Sequence, residues 1–226
     1  MAMIELKREG QVFVLTMQNG ENMFTTPFLE ALNQALDTVE ESIGPAALVT
    51  VGGEQKFYSN GIDLAWLKGE GQSQWVTFVD QLVKFLGRVL AFPIPTVAAV
   101  NGHAVAAGAM FALAHDIRVM RADRGFFYLP EVDVNIPLEP GMTSMIKSKV
   151  SPPVFRDLIL TGSRIGGGEA KERGIVDEAA PADQVLPRAI ARAAALASKG
   201  RQIYGTLKRG MYAEALTLLE AGKKQA

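Results

Sequence analysis

Residues 95–116 read PTVAAVNGHAVAAGAMFALAHD, and this stretch decides the fold. It begins as an apolar β-rich run, breaks at Asn101-Gly102, passes through small residues and becomes helical around Met110. A buried strand that leads through such a turn into a buried helix directs unpaired N–H groups of the helix start into the space beside the turn. The small side chains of residues 106–108 (Ala-Ala-Gly) let another molecule approach these groups. A carbonyl oxygen gaining negative charge is one candidate; tight strand–helix packing without a ligand is the alternative.

The composition excludes several classes of function. The 226 residues carry 23 Lys and Arg against 24 Asp and Glu, so neither nucleic acid nor a membrane is expected as a partner. The absence of cysteine excludes disulfides, thiolate catalysis and cysteine-ligated metals. His103 and His115 are interpreted as packed or hydrogen-bonding residues, and no metal site is predicted. Neither end carries a recognised targeting signal, so we expect a cytoplasmic protein.

The order of predicted elements indicates an α/β protein. Strands alternate with helices over the first two-thirds, and the last third is helical and rich in alanine. This shift predicts two regions, a core of residues 1–164 and a helical region of residues 165–226. Thr26 is predicted to cap a helix with Pro27 in its first turn, and the apolar spacing over 75–90 predicts another helix. A short extended piece is predicted over 175–178.

Two further segments are candidates for function. Residues 57–64 (FYSNGIDL) join an aromatic pair to a turn and to Asp63, which can cap a helix; this is either a second set of convergent N–H groups or an ordinary connection. Glu131 follows an apolar run and a proline, so partial burial would raise its pKa and make it a base near neutrality. The alternative is a surface glutamate in a loop, and Asp133 and Glu139 are competing carboxylates.

Five segments carry a family resemblance, and they occur in register over nearly the whole chain. They are residues 57–64 (FYSNGIDL), 95–104 (PTVAAVNGHA), 116–118 (DIR), 129–132 (LPEV) and 161–177, with Thr161-Gly162, Ala170, Gly174, Val176 and Asp177. The chain resembles the crotonase superfamily, also called the enoyl-CoA hydratase/isomerase family. The resemblance implies a spiral of ββα units with a C-terminal helical region that packs between subunits. It also implies an acyl-CoA thioester carbonyl held by two backbone N–H donors, by position those of Ile62 and Ala107.

Departures from the family pattern bear on the reaction. Hydratases of this family use two glutamates; here the first position is Met110, which cannot activate water, and the second is Glu131. One base suits proton shuttling better than hydration, and the chain looks most like the monofunctional Δ3,Δ2-enoyl-CoA isomerases. The alternatives are a hydratase or other crotonase-type enzyme that uses Glu131 with Asp133 or Glu139, and a non-catalytic acyl-CoA-binding protein.

The resemblance also implies substrate contacts. Ser59 and Asn60, with Gly61 beside them, are expected near the nucleotide end of coenzyme A. The predicted apolar wall consists of Trp66, Leu67, Met110 and Phe127, each of which is equally plausible in the core. No metal or redox cofactor is expected, since coenzyme A is part of the substrate, and the expected assembly is a homotrimer or a dimer of trimers.

Overall fold

Ten strands form two sheets in the computed structural model, which describes residues 2–54 and 56–222. They are β1 Ile4–Glu9, β2 Val12–Met17, β3 Ala47–Gly52, β4 Phe57–Ser59, β5 Thr96–Val100, β6 His103–Val105, β7 Ile117–Arg121, β8 Phe126–Tyr128, β9 Ile165–Gly166 and β10 Glu178–Ala180. The larger sheet has the order β1-β2-β3-β5-β7-β10 and the smaller β4-β6-β8-β9. Only the β1–β2 and β8–β9 pairings among these described strands are antiparallel. The α/β prediction is confirmed.

Helices connect the strands and form the last third of the chain. They are α1 Thr26–Glu41, α2 Leu64–Lys68, α3 Trp75–Leu90, α4 Ala107–Ala114, α5 Glu131–Val134, α6 Pro140–Lys149, α7 Pro152–Thr161, α8 Gly167–Glu172, α9 Val185–Leu196, α10 Arg201–Met211 and α11 Ala213–Glu220. The predicted helix over 75–90 is confirmed. The cap of α1 lies one residue earlier than predicted, because the extended Thr25 accepts the N–H of Phe28 through Oγ1 at 3.3 Å.

The parallel strands at the centre of the larger sheet pack against apolar residues on both faces, as parallel strands require. On one face, Val14, Val49 and Val97 contribute to a small apolar cluster that includes Ala189 and Ala193 of α9. Alternate strand residues on the other face enter the main core with α1, α3 and α4. Across the described residues, no helix combines the length and apolar character needed to cross a membrane.

Two predictions about the segment after residue 164 need correction. The piece over 175–178 is mostly a loop, in which the Ile175 carbonyl accepts Nε of Arg118 at 2.7 Å, and strand pairing with β7 begins only at Glu178. The region is also not purely helical, because β9 and β10 complete the two sheets. The boundary between residues 1–164 and 165–226 stays a prediction.

The C-terminal helices pack on the core of their own chain. A Cβ on Gly141 of α6 would lie about 3.0 Å from backbone atoms of Leu218 and Leu219 in α11, so glycine permits this close helix contact. Lys208 of α10 forms a buried ion pair with Asp116 at 2.8 Å. Packing of this region between subunits stays a prediction.

Candidate active site

Glu131 lies at the start of the one-turn helix α5, directly after β8 and Pro130. Its side chain is largely buried, and its Oε2 atom has no hydrogen-bond partner among the described residues. Burial, which disfavours the charged form, raises the pKa of the carboxyl group to about 7. The surface-loop interpretation of Glu131 is therefore wrong. The carboxyl group can exchange a proton near neutral pH.

The Ile62 N–H is left free by the pairing of its neighbours. The N–H of Phe24 donates to the Gly61 carbonyl at 2.7 Å, and the Asp63 N–H donates to the Phe24 carbonyl at 3.1 Å. In such a parallel bridge the intervening N–H points away from the partner strand. Asp63 then caps α2 as predicted, accepting the N–H of Trp66 through Oδ1 at 2.9 Å.

Ala107 is the first residue of α4. The first backbone bond of this helix runs from the Met110 N–H to the Ala106 carbonyl at 3.0 Å, so the Ala107 N–H has no acceptor within the helix. The two turns are in contact, since a Cβ on Gly61 would lie 3.0 Å from Ala106 Cβ and 3.6 Å from the Ala107 nitrogen. The structure thus brings the two predicted donors together.

The start of α4 requires small residues next to β4. A Cβ on Gly108 would overlap the Ser59 carbonyl oxygen and lie 2.7 Å from Ser59 Cβ. Ser59 itself is fully buried, and its hydroxyl donates to the Asn22 carbonyl at 2.7 Å. This contact between Gly108 and Ser59 fixes the position of the helix start relative to the Ile62 turn.

Ala106 has an unusual backbone conformation for a residue with a side chain. Its φ of +48° and ψ of −123° fall where glycine is favoured, and such a residue costs about 1–3 kcal/mol. We expect Ala106→Gly to raise the free energy of unfolding in urea by about 1 kcal/mol, because glycine relieves this strain. Ala109→Gly, in the interior of the same helix, is the control and is expected to lower stability by about 1 kcal/mol. Loss of stability in both variants would contradict the assignment of strain.

Glu131, Ile62 and Ala107 share one cavity of about 230 Å³. Val79 and Leu82 of α3 contribute to an apolar wall. Another side of the cavity is closed by Met142 of α6 and by four residues of the preceding segment, Val134, Ile136, Pro137 and Leu138. The cavity is therefore an apolar pocket with few polar groups, as is usual for small-molecule sites.

The predicted substrate contacts divide into two groups. Asn60 and Met110 are on the cavity wall. Five others are not part of that wall; they are Ser59, Gly61, Trp66, Leu67 and Phe127. Phe127 is fully buried in the core, and the Trp66 ring packs edge-on against Phe78 at 5.3 Å. Contacts between these five residues and a substrate stay predictions.

The competing carboxylates have different positions. Glu139, which precedes α6, is on the cavity wall with Glu131. Asp133 is not; its Oδ2 atom accepts the Tyr128 hydroxyl at 2.7 Å. A second carboxylate residue therefore lines the cavity, and it is Glu139 rather than Asp133.

His115 is packed in the core, as the sequence predicts. Its Nε2 lies 2.9 Å from Thr50 Oγ1 and its Nδ1 lies 2.8 Å from the Phe111 carbonyl. Burial lowers the pKa of the imidazole to about 3, so the ring is neutral. Within the described residues, no three or more His, Asp or Glu side chains are grouped to hold a metal ion.

Comparison with known proteins identifies the family. The sequence profile of the enoyl-CoA hydratase/isomerase family matches residues 7–225. The chain belongs to this family. It is an enzyme of the enoyl-CoA hydratase/isomerase type, and its fold is the crotonase fold.

Its relatives include both isomerases and hydratases. Enoyl-CoA delta isomerase 3 of Arabidopsis thaliana is 34% identical over 96% of this chain and 95% of its own length. A putative enoyl-CoA hydratase of Thermus thermophilus is 35% identical over 84% of this chain and 76% of its own length. Among solved structures, an enoyl-CoA isomerase of Mycobacterium tuberculosis superposes with a TM-score of 0.89 at 25% identity, over 98% of this chain and 96% of its own.

Proposed function

We propose that this enzyme moves the double bond of a 3-enoyl-CoA to the 2-trans position. One observation carries the proposal. The largely buried Glu131 carboxyl, with an unpartnered oxygen, shares an apolar cavity with two unpaired backbone N–H groups. Met110 on α4 offers no carboxylate there for activating water. Similarity to three isomerases of Arabidopsis thaliana at 31–34% identity supports the same reaction.

The proposed mechanism begins with the thioester oxygen accepting hydrogen bonds from the Ile62 and Ala107 N–H groups. The Glu131 carboxylate removes a proton from C2, and the electron pair of the C–H bond delocalises into a dienolate that the two donors stabilise. The protonated Glu131 then delivers the proton to C4, which leaves the double bond between C2 and C3. Since C2 and C4 lie on the same side of a bent acyl chain, one carboxylate serves both steps. No metal or redox cofactor is needed.

Hydration of a 2-enoyl-CoA is the second candidate. The observation that favours it is the presence of Glu139 in the same cavity as Glu131, which could supply the second carboxylate that water addition uses. Relatives that are named hydratases support it as well. A homotrimer or a dimer of trimers, and a cytoplasmic location, stay predictions.

Product analysis tests the proposal against this alternative. We expect the purified enzyme to convert 3-hexenoyl-CoA to 2-trans-hexenoyl-CoA. Chromatography and the absorbance of the conjugated thioester measure this conversion. In a parallel incubation with 2-trans-hexenoyl-CoA at the same enzyme concentration, we expect the amount of 3-hydroxyhexanoyl-CoA formed to be much smaller than the amount of isomerised product in the first incubation. Preferential formation of the 3-hydroxy product would favour the hydratase.

The pH dependence of the reaction follows from the raised pKa of Glu131. The free enzyme must carry the ionised carboxylate, so kcat/KM for isomerisation is expected to rise with pH and to reach half its maximum near pH 7. Below that value the rate falls about tenfold per pH unit. Initial rates between pH 5 and pH 9 measure this profile. A half-maximum near the ordinary glutamate value would mean that the base is solvated.

A further inference from the structure

The one-turn helix α5 carries Glu131 but has little apolar packing of its own. None of its four residues is completely buried, and the side chains of Val132 and Val134 are exposed. Its backbone bonding is local, with the Asp133 N–H donating to the Pro130 carbonyl at 2.8 Å. A single helical turn with so few buried contacts opens easily unless a side chain ties it to the rest of the fold.

The Asp133 side chain supplies such a tie. Its Oδ2 atom accepts the Tyr128 hydroxyl at 2.7 Å, which joins α5 to the last residue of β8. This hydrogen bond raises the pKa of Tyr128 above its ordinary value, because the ionised phenol has no proton to donate. A Cβ on Gly162, directly after α7, would lie 2.5 Å from the same Oδ2 atom, so the end of α7 also packs closely against the Asp133 carboxylate.

Tyr128 is itself fixed in the fold. Its backbone pairs with Val105 of β6, and its carbonyl accepts the Ala106 N–H at 2.9 Å. The Arg164 guanidinium lies 4.9 Å from the centre of its ring, within the range of a cation–π contact. Tyr128 is therefore bound through its backbone to the residue before the Ala107 donor, and through its hydroxyl to the helix that carries the base.

We propose that Asp133 is a positioning residue for Glu131. The two residues are two positions apart on one helical turn, so their side chains project to nearly opposite sides, one to the cavity and the other to Tyr128. The bond between Asp133 and Tyr128 holds the outer side of α5 and keeps the Glu131 carboxyl group in the apolar cavity that contains the Ala107 donor. The catalytic consequence rests on the proposed function; the placement of the carboxyl group does not.

Titration of the Glu131 carboxyl group tests this placement without turnover. Glutamate labelled with carbon-13 at its side-chain carboxyl group is followed by NMR, and the Glu131 signal is assigned by its absence in Glu131→Gln. Tyr128→Phe keeps the aromatic ring beside Arg164 and removes only the hydroxyl. We expect the pKa of Glu131 in this variant to fall by about one pH unit, because water reaches a carboxyl group that is no longer held in the cavity. An unchanged pKa would overturn the proposal.

Two variants of Asp133 separate the hydrogen bond from the charge. Asp133→Asn loses the charge but keeps an oxygen that accepts the Tyr128 hydroxyl, whereas Asp133→Ala loses both. We expect Asp133→Ala to lower the pKa of Glu131 as Tyr128→Phe does. Asp133→Asn is expected to stay within about 0.3 of the wild-type pKa, since exposed charges are strongly screened. Glu139, the other titratable residue on the cavity wall, is unchanged in both. Equal effects of the two variants, large or small, would overturn the proposal.

Tyr204→Phe is the matched control. It removes another tyrosine hydroxyl that donates to an aspartate, that of Asp116 at 3.0 Å, and Tyr204 lies in α10, away from α5 and the cavity wall. We expect this variant to lower the thermal stability of the protein and to leave the pKa of Glu131 unchanged. A fall of that pKa equal to the fall in Tyr128→Phe would mean that general loosening of the fold is the cause, and would overturn the positioning role.

Steady-state kinetics with 3-hexenoyl-CoA give the catalytic readout. Tyr128→Phe is expected to lower kcat about tenfold with little change in KM, because a small displacement of a catalytic group slows the chemical step more than it weakens binding. Wild-type kcat in Tyr128→Phe would overturn the positioning role in catalysis. A lowered pKa of Glu131 in a protein whose wild type does not isomerise this substrate would support the placement of the carboxyl group and refute the proposed function alone.

Discussion

Glu131→Gln is expected to lower kcat for isomerisation of 3-hexenoyl-CoA by about 10²- to 10⁴-fold, the range typical of general acid–base groups. The amide has nearly the shape of the carboxyl group and still fits the apolar wall, but it cannot take a proton from C2 or return one to C4. KM is expected to change little, because the acyl chain and the two N–H donors are unaffected. Steady-state kinetics of purified wild-type and variant proteins measure both constants.

The matched control is Glu139→Gln, which removes the other carboxylate on the cavity wall. We expect it to reduce kcat by less than about fivefold, since general-base catalysis by Glu131 is retained. Nearly unchanged turnover by Glu131→Gln, with inactivation by Glu139→Gln, would reassign the base.

Stability distinguishes loss of chemistry from loss of fold. Because burial raises the pKa of Glu131 from 4.5 to about 7 in the folded state, stability is lost as pH rises between these two values and changes no further above the higher one. Glu131→Gln removes the cost of a buried charge and is expected to be about 1–3 kcal/mol more stable than wild type at pH 8. The difference is expected to shrink towards pH 4.5.

Gly108→Ala is expected to lower kcat about 100-fold, as loss of one oxyanion donor typically does. The added methyl group would overlap Ser59, whose carbonyl and side chain belong to a buried strand and cannot give way. The start of α4 must therefore move, and the Ala107 N–H moves with it. Kinetics with 3-hexenoyl-CoA measure the effect, and circular dichroism checks that the variant is folded.

Gly168→Ala is the control for this substitution. Gly168 also lies in the first turn of a helix, but a Cβ there meets no atom within 4 Å. We expect its kcat to equal that of wild type within about twofold. Equal activity of Gly108→Ala and Gly168→Ala would contradict the assignment of Ala107 as a donor.

Elements with strong local signals could be predicted from the sequence. The apolar spacing over 75–90 and the Asp63 cap correspond to observed features at their predicted positions, because local contacts determine both. The sequence alone does not identify the cap of α1, because Thr25 and Thr26 are adjacent and chemically equivalent. The strand after residue 174 was misplaced because pairing with β7 and the Arg118 side chain, which are distant in sequence, decide where it begins.

The candidate site likewise combines features set by residues close in sequence with features set by tertiary packing. The two convergent turns and the partial burial of Glu131 follow from residues that are close in sequence. The apolar wall does not: Val79 and Leu82 are part of a helical stripe that looks like any core-facing stripe, and only tertiary packing turns them towards the cavity. The presence of Glu139 and Glu131 on the wall of one cavity likewise depends on how α5 and α6 fold together, which no local pattern reports.

The central claim is that one carboxyl group carries the same proton from C2 to C4. A single-turnover reaction of 3-hexenoyl-CoA deuterated at both C2 hydrogens, run in ordinary water, tests it most directly. We expect a fraction of the 2-trans-hexenoyl-CoA to carry deuterium at C4, detected by NMR, because burial slows exchange of the Glu131 carboxyl with solvent. A product formed at full rate with no deuterium at C4 would contradict the claim.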